Sequence, residues 1–281
     1  MRYELVCLDL DGTLLNTEKK LLPQVRDAVR RAAAAGMKIV LGSARMPAGV
    51  ESIEKELGVP CVKICDAGAY ILEGETCICS RHLPAASMEE IYEQYARPDQ
   101  LKMWIFRDRD WYITGMEAYI AREIEIIGYH PETVDTKELA RQWAEAGTGP
   151  SKLLLAADPE KIRRIQKDIK EQIEQGRWPE IAAARSADVF LEIFPKGVGK
   201  GTALQAVCDA LAIPPEKAIP FGDHEMDIPM LKKAGLGIAM GNAVDNLKEA
   251  ADAVTRTNDE AGVAWALNRI LDGIWERAME K

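Results

Sequence analysis

Residues 4–16 read ELVCLDLDGTLLN, an apolar stretch that carries two aspartates, Asp9 and Asp11, one residue apart. Burying an unpaired carboxylate is costly or forces it to take up a proton, so each aspartate needs a compensating group. Leu5 to Leu8 is long enough for a strand and Gly12-Thr13 follows as a turn signal, which puts both carboxylates where a strand ends. In an open parallel α/β sheet, ligands bind at that edge.

The same pattern continues downstream. The segment 22–36, LPQVRDAVRRAAAAG, predicts a helix with Pro23 near its start, Val25, Ala28, Val29 and Ala32 on one stripe, and Gly36 as its stop. Residues 37–45 (MKIVLGSAR) read as a buried strand and a small-residue turn, 47–58 as a helix, and 59–71 (VPCVKICDAGAYI) as one further strand. From about residue 190 the alternation returns: helix 199–213, strand 218–223, helix 227–235, strand 236–240 and helix 242–251. Repeated strand-helix-strand order predicts an α/β fold with a doubly wound parallel sheet, Rossmann-like in its winding.

The middle of the chain has a different character. Ser87 and Glu90 have the spacing of a capping box, and 101–115 (LKMWIFRDRDWYITG) predicts a hairpin turning at Arg107–Asp110. Helices are expected around 116–128, 136–147 and 158–176, with a strand at 151–157. The expected domains are a discontinuous core, 1–82 with 190–281, and an inserted α+β unit, 83–189, of ordinary domain size.

The 281 residues, 47% of them hydrophobic, suffice for a full core and more than one domain. Lys and Arg number 36 against 45 Asp and Glu, a net charge of −9 with no basic block, which argues against nucleic acid and anionic membrane surfaces as partners. No apolar run approaches a membrane span, the first residues lack the order of a signal peptide, and the six cysteines fit a reducing compartment; a cytoplasmic protein is expected. The spacings of Cys61, Cys65, Cys77 and Cys79 are not those of metal knuckles and read as structural thiols.

Four stretches fall at the ends of the expected core strands or at a helix entrance: Asp9-Leu10-Asp11-Gly12-Thr13, Ser43-Ala44-Arg45, Lys200-Gly201, and Gly222-Asp223-His224-Glu225-Met226-Asp227. In this order they resemble the haloacid dehalogenase (HAD) superfamily of phosphohydrolases. The insertion between the Ser43 and Lys200 motifs resembles the Cof-type (type IIB) branch with its C2 cap, and the segment from Ala239 to Leu267 is similar to that branch's C-terminal part.

The resemblance implies Mg2+-dependent hydrolysis of a small phosphate monoester, such as a sugar phosphate, through an aspartyl-phosphate. Asp9 would be nucleophile and metal ligand, and Asp11 the general acid and then base, its backbone carbonyl also on the metal. Asp223 would complete the protein's metal ligands, Asp227 would orient a metal-bound water or Lys200, and Ser43, the Ala44 amide and Lys200 would bind phosphate. Gly12, Gly42 and Gly201 would let the backbone approach the anion. The chemistry agrees: a carboxylate approaching a phosphate dianion needs a neutralising cation, and Mg2+ prefers hard oxygen ligands.

Two positions depart from the branch's pattern, Met226 and Ala67 standing where it usually has Asn. Losing such a donor lowers rate by about 10- to 1,000-fold. A phosphomutase or phosphotransferase sharing the intermediate, or a catalytically impaired metabolite-binding protein, are the alternatives. Neither substrate nor oligomeric state is encoded in these motifs.

Overall fold

The computed structural model describes residues 3–275. They fall into two units: one comprises the chain through Ser43, Val50–Cys79 and the chain from Gly199 onward, and the other Ala44–Gly49 with Ser80–Val198.

The first unit is built on an eight-stranded sheet in the spatial order Ala253–Val254, Ile238–Ala239, Ala218–Gly222, Leu5–Asp9, Lys38–Gly42, Cys61–Cys65, Tyr70–Glu73 and Thr76–Ser80. The pairings from Ala253–Val254 through Cys61–Cys65 are all parallel. Leu5–Asp9 lies inside the sheet with every residue buried, which is why its sequence is continuously apolar rather than alternating. Connecting helices cover the sheet; Pro23–Ala34 buries Val25, Ala28, Val29 and Ala32, the stripe expected from its periodicity.

The segment 59–71, expected as one strand, is two. Cys61–Cys65 runs parallel to its neighbour, the chain reverses, and Tyr70–Glu73 returns antiparallel. The reversal consists of Asp66, Ala67 and Gly68, with φ of +49°, +57° and +111°. An L residue in that region is strained by about 1–2 kcal/mol, so hydrophobicity alone hid a turn that only Gly68 signalled.

The second unit has a six-stranded sheet ordered Ile181–Ala187, Phe190–Pro195, Lys152–Ala156, Met103–Arg107, Asp110–Ile113 and Glu132–Thr133, antiparallel except at the last pair. The expected hairpin forms, with Arg107 opposite Asp110 and Asp108 at φ +53° in the turn. One face, with Met103, Ile105, Leu153, Leu155, Leu191 and Ile193, packs on the helices Ala85–Ile91, Thr136–Glu145 and Pro159–Glu174. The other carries Trp104, Phe106, Trp111, Leu154 and Ala156, packed with Met46 and with Ile120 of the helix Ala118–Ile127.

The unit boundaries differ from those expected. Phe190–Pro195 is a strand of the second sheet, so that unit runs on to Val198, and it begins at Ser80 with Ala44–Gly49 added. The expected break at 190 followed the return of simple alternation; the extra strand belongs to the pairing of the inserted sheet. Ser87 does not cap a helix either: the helix starts at Ala85 after Pro84, and Ser87 Oγ donates to Glu180 Oε1 at 2.8 Å.

A Cβ on Gly68 would stand 2.9 Å from the Gly199 carbonyl oxygen and 3.1 Å from Ala203 Cβ, whereas one on Gly74, at φ +58°, would meet nothing within 4 Å. Gly68→Ala should therefore cost at least about 2 kcal/mol and Gly74→Ala about 1 kcal/mol, read from urea midpoints at unchanged m. Equal midpoints would contradict the close approach at the reversal.

Candidate active site

Three neighbouring parallel strands end together. Asp9 closes its strand level with Gly42, so Ser43 is the first residue past the adjacent strand end. On the other side Leu8 is level with Phe221, and Asp223 is the first residue beyond Ala218–Gly222. Lys200 opens the helix Lys200–Leu211 and reaches the same place. Its Nζ donates to Asp9 Oδ1 and to Asp227 Oδ1, both at 2.5 Å. Asp9 and Lys200 are 6% exposed and Asp227 0%, so these charges interact with little screening by water.

Asp227 organises the loop that carries Asp223. Its second oxygen accepts the backbone N–H of Asp223 and of His224, each at 3.0 Å, while Thr13 Oγ1 donates to Asp223 Oδ1 at 2.8 Å. Ser43 is held by backbone bonds on both sides, its N–H to the Ile64 carbonyl at 2.9 Å and its carbonyl from the Ala67 N–H at 3.0 Å.

Burial pushes the Asp9 carboxyl well above the usual carboxylate range; Lys200 opposes that shift, and Asp227 and Asp223 add to it. Burial likewise raises Asp223, against the hydrogen bond from Thr13. For Lys200, burial alone lowers the ammonium's pKa, but Asp227 and Asp9 together overcome this and hold it above the ordinary lysine value. Lys200 is thus a fixed cation beside more negative charge than it neutralises.

Carboxylate oxygens of Asp9, Asp223 and Asp227 lie within 4.8 Å of one another, the one such grouping of metal-ligating side chains among the described residues. An all-oxygen donor set suits a hard divalent cation, which would also offset the cost of burying these carboxylates. Both Asp227 oxygens are already engaged, which leaves Asp9 and Asp223 as the better placed donors.

The family model of haloacid dehalogenase-like hydrolases matches residues 6–267. The chain belongs to that family. A putative phosphatase of Haemophilus influenzae is 31% identical over 273 residues, covering 95% of this chain and 98% of its own. A 5-amino-6-(5-phospho-D-ribitylamino)uracil phosphatase of Bacillus subtilis is 27% identical over 289 residues, covering 95% and 98%. The crystal structure of a haloacid dehalogenase-like hydrolase from Bacteroides thetaiotaomicron superposes with a TM-score of 0.84 at 29% identity, covering 95% of this chain and 99% of that one. The protein is a phosphatase of the HAD superfamily that the four motifs resemble, with a Rossmann-like core and the Cof-type character implied by the position of its insertion.

Within this HAD phosphatase, Asp9, Ser43, Lys200, Asp223 and Asp227 lie at neighbouring strand ends or bond one another, whereas the Asp11 side chain is partly exposed and pairs with Lys19 at 2.8 Å. Ala44 is the first residue of the segment grouped with the second unit. A Cβ on Gly12, at φ +88°, would stand 2.3 Å from Asp223 Oδ2, and one on Gly201 would meet Pro229, so both glycines admit a close approach of neighbouring protein groups, while one on Gly42 would meet only ordinary van der Waals contact.

Several residues escaped the sequence reading. Thr13 was visible in its motif but had no assigned role. Asn242 Nδ2 donates to the Gly12 carbonyl at 2.8 Å and Asn258 Nδ2 to the Leu15 carbonyl at 3.0 Å, pinning the loop after Asp9. A cavity of about 330 Å³ lies beside them, lined by Asn16, Lys19, Asn242 and Asn258 among others. Their sequence signal was only that of turn-forming residues.

Because the folded pKa of Asp223 exceeds its unfolded value of about 3.9, its ionisation costs stability: stability is greatest below that value and is lost as pH rises through the folded pKa. In chelator at pH 7, Asp223→Asn should therefore melt a few degrees above wild type, by about 0.5–2 kcal/mol, with the gap closing toward pH 4. Melting curves at several pH values check this; a variant less stable than wild type at pH 7 would contradict the assigned cost of burying that charge.

Proposed function

We propose that the protein hydrolyses a small phosphate monoester, a sugar phosphate or similar metabolite, through an aspartyl-phosphate on Asp9 with Mg2+ as cofactor. The observation that carries this reading is the buried Asp9 carboxylate at a strand end, with Lys200 on one oxygen and the Asp223–Asp227 loop beside it. Asp9, Asp223 and the Asp11 carbonyl would hold the metal, which when bound neutralises the dianion so that a carboxylate can approach it.

Asp9 attacks phosphorus and the ester P–O bond breaks, with Asp11 giving its proton to the departing alkoxide. Asp11 then takes a proton from water, the water oxygen bonds to phosphorus, and the bond to Asp9 breaks to release phosphate. The Ser43 hydroxyl and the Ala44 N–H donate to the phosphoryl oxygens, and Lys200 offsets their charge. Asp227 keeps Lys200 and the Asp223 loop in place.

The B. subtilis relative's named substrate is a small phosphorylated metabolite, which supports the class; at 27% identity it does not carry over the particular ester. The departures from the family pattern leave this set intact. Lys200 is held by Asp9 and Asp227 without help from position 226, and residue 67 contributes its backbone N–H, which alanine supplies as well as asparagine does.

Phosphate release from 4-nitrophenyl phosphate and a panel of sugar phosphates, nucleotides and phosphorylated cofactors should require Mg2+. It should fall by at least about 1,000-fold in Asp9→Asn and by about 100-fold or more in kcat in Asp11→Asn. Metal-independent turnover, or an active Asp9→Asn, would reject the mechanism, and product that requires an added sugar acceptor would identify a transferase.

A further inference from the structure

Two charged residues interrupt the aromatic face of the second unit's sheet: Lys152 and Glu192, 3% and 4% exposed. Lys152 pairs with Phe106 and Glu192 with Leu154, so the two are diagonal neighbours on adjacent strands. Lys152 Nζ lies 3.6 Å from Glu192 Oε2 and 4.6 Å from the centroid of the Phe106 ring. Glu192 Oε2 is buried and accepts no hydrogen bond. A buried ion pair that leaves a carboxylate oxygen without a hydrogen bond is weak evidence for stability, since apolar residues of similar volume serve as well or better.

What the ammonium reaches is informative: Lys152 Nζ donates to the backbone carbonyl of Ala44. Two residues on, Met46 packs in the same cluster as Trp104 and Phe106, so this short segment is anchored to the sheet by one polar and one apolar contact. We propose that Lys152, oriented by Glu192, is a positioning residue that fixes the Ala44 carbonyl and so the backbone of the Ser43–Ala44 turn. The inference rests on the reading of that turn as the phosphate site. With Ser43 tied to Ile64 and Ala67, and Ala44 tied to Lys152, the turn is pinned on both sides, and the Ala44 N–H is aligned before substrate arrives. Glu192 balances the ammonium so that it stays on the carbonyl.

The test is the double variant Lys152→Met/Glu192→Met in the full chain, which removes donor and charge together, beside Lys152→Arg, which keeps both. The double variant should melt close to wild type. Hydrogen exchange over residues 43–49 should quicken about tenfold while the sheet strands stay protected, competition by inorganic phosphate should weaken about tenfold, and KM should rise more than kcat falls. Lys152→Arg should restore most of the loss. If the double variant does not fold, Glu192→Gln should show the same loosening to a smaller degree. A folded variant with unchanged exchange at 43–49 and unchanged phosphate competition overturns the proposal. Loosened exchange in a chain whose wild type neither hydrolyses esters nor binds phosphate overturns the positioning of a phosphate site and the functional reading together, whereas an unchanged turn in an active enzyme overturns the positioning alone.

Discussion

The Lys200 ammonium, shared between Asp9 and Asp227, is the interaction on which the site depends. It joins the first strand to a loop more than two hundred residues away, and only the parallel sheet makes that juxtaposition possible, because Leu5–Asp9 and Ala218–Gly222 are neighbours in space. Without the cation, two buried carboxylates would face each other with no counter-charge, and one would have to protonate or leave. With it, Asp227 can use its other oxygen to fold the turn carrying Asp223, and Thr13 holds Asp223 from the loop that follows Asp9.

The arrangement is under electrostatic stress by construction. Three carboxylates share one lysine in a desolvated place; burial above all, and the neighbouring carboxylates after it, push Asp9 and Asp223 up. A different pair, buried Lys63 with half-buried Glu54, shows what an unstressed one looks like: the charges meet at 2.7 Å, and the other Glu54 oxygen accepts the Cys61 N–H at 2.8 Å. That pair ties a helix to a strand and leaves nothing over. Glu192, by contrast, keeps one buried carboxylate oxygen without a hydrogen bond.

Much of the fold and the site was legible in sequence, for reasons specific to each element. Pro23–Ala34 has a stripe with helical period, and Leu5–Asp9 is a continuous apolar run ending in charges, so both could be read locally. The reversal at Asp66–Gly68 could not, because its first two residues adopt a left-handed conformation that their types disfavour, and tertiary packing decides the outcome. The strand Phe190–Pro195 has an unremarkable apolar pattern, and which sheet it joins depends on pairing partners distant in sequence. At the site, motif residues stood out because carboxylates in apolar runs are conspicuous. Asn242, Asn258 and Lys152 were hidden because each acts on a backbone carbonyl, and a contact with backbone leaves no complementary residue type in the sequence.

The same distinction explains why the two asparagines missing from the family's pattern need not silence the enzyme. Position 67 meets Ser43 through its N–H, and the alanine side chain is wholly buried in the reversal, so the change falls on local backbone strain rather than on the donor. Position 226 lies in the turn closed by Asp227, whose carboxylate binds two backbone N–H groups and Lys200, so that turn and the lysine are held without a side-chain amide at 226. Where the work is done by main chain and by one well-placed carboxylate, side-chain identity nearby is free to drift. Asp9, Lys200 and Asp227 have no such freedom, since each supplies charge that a backbone cannot.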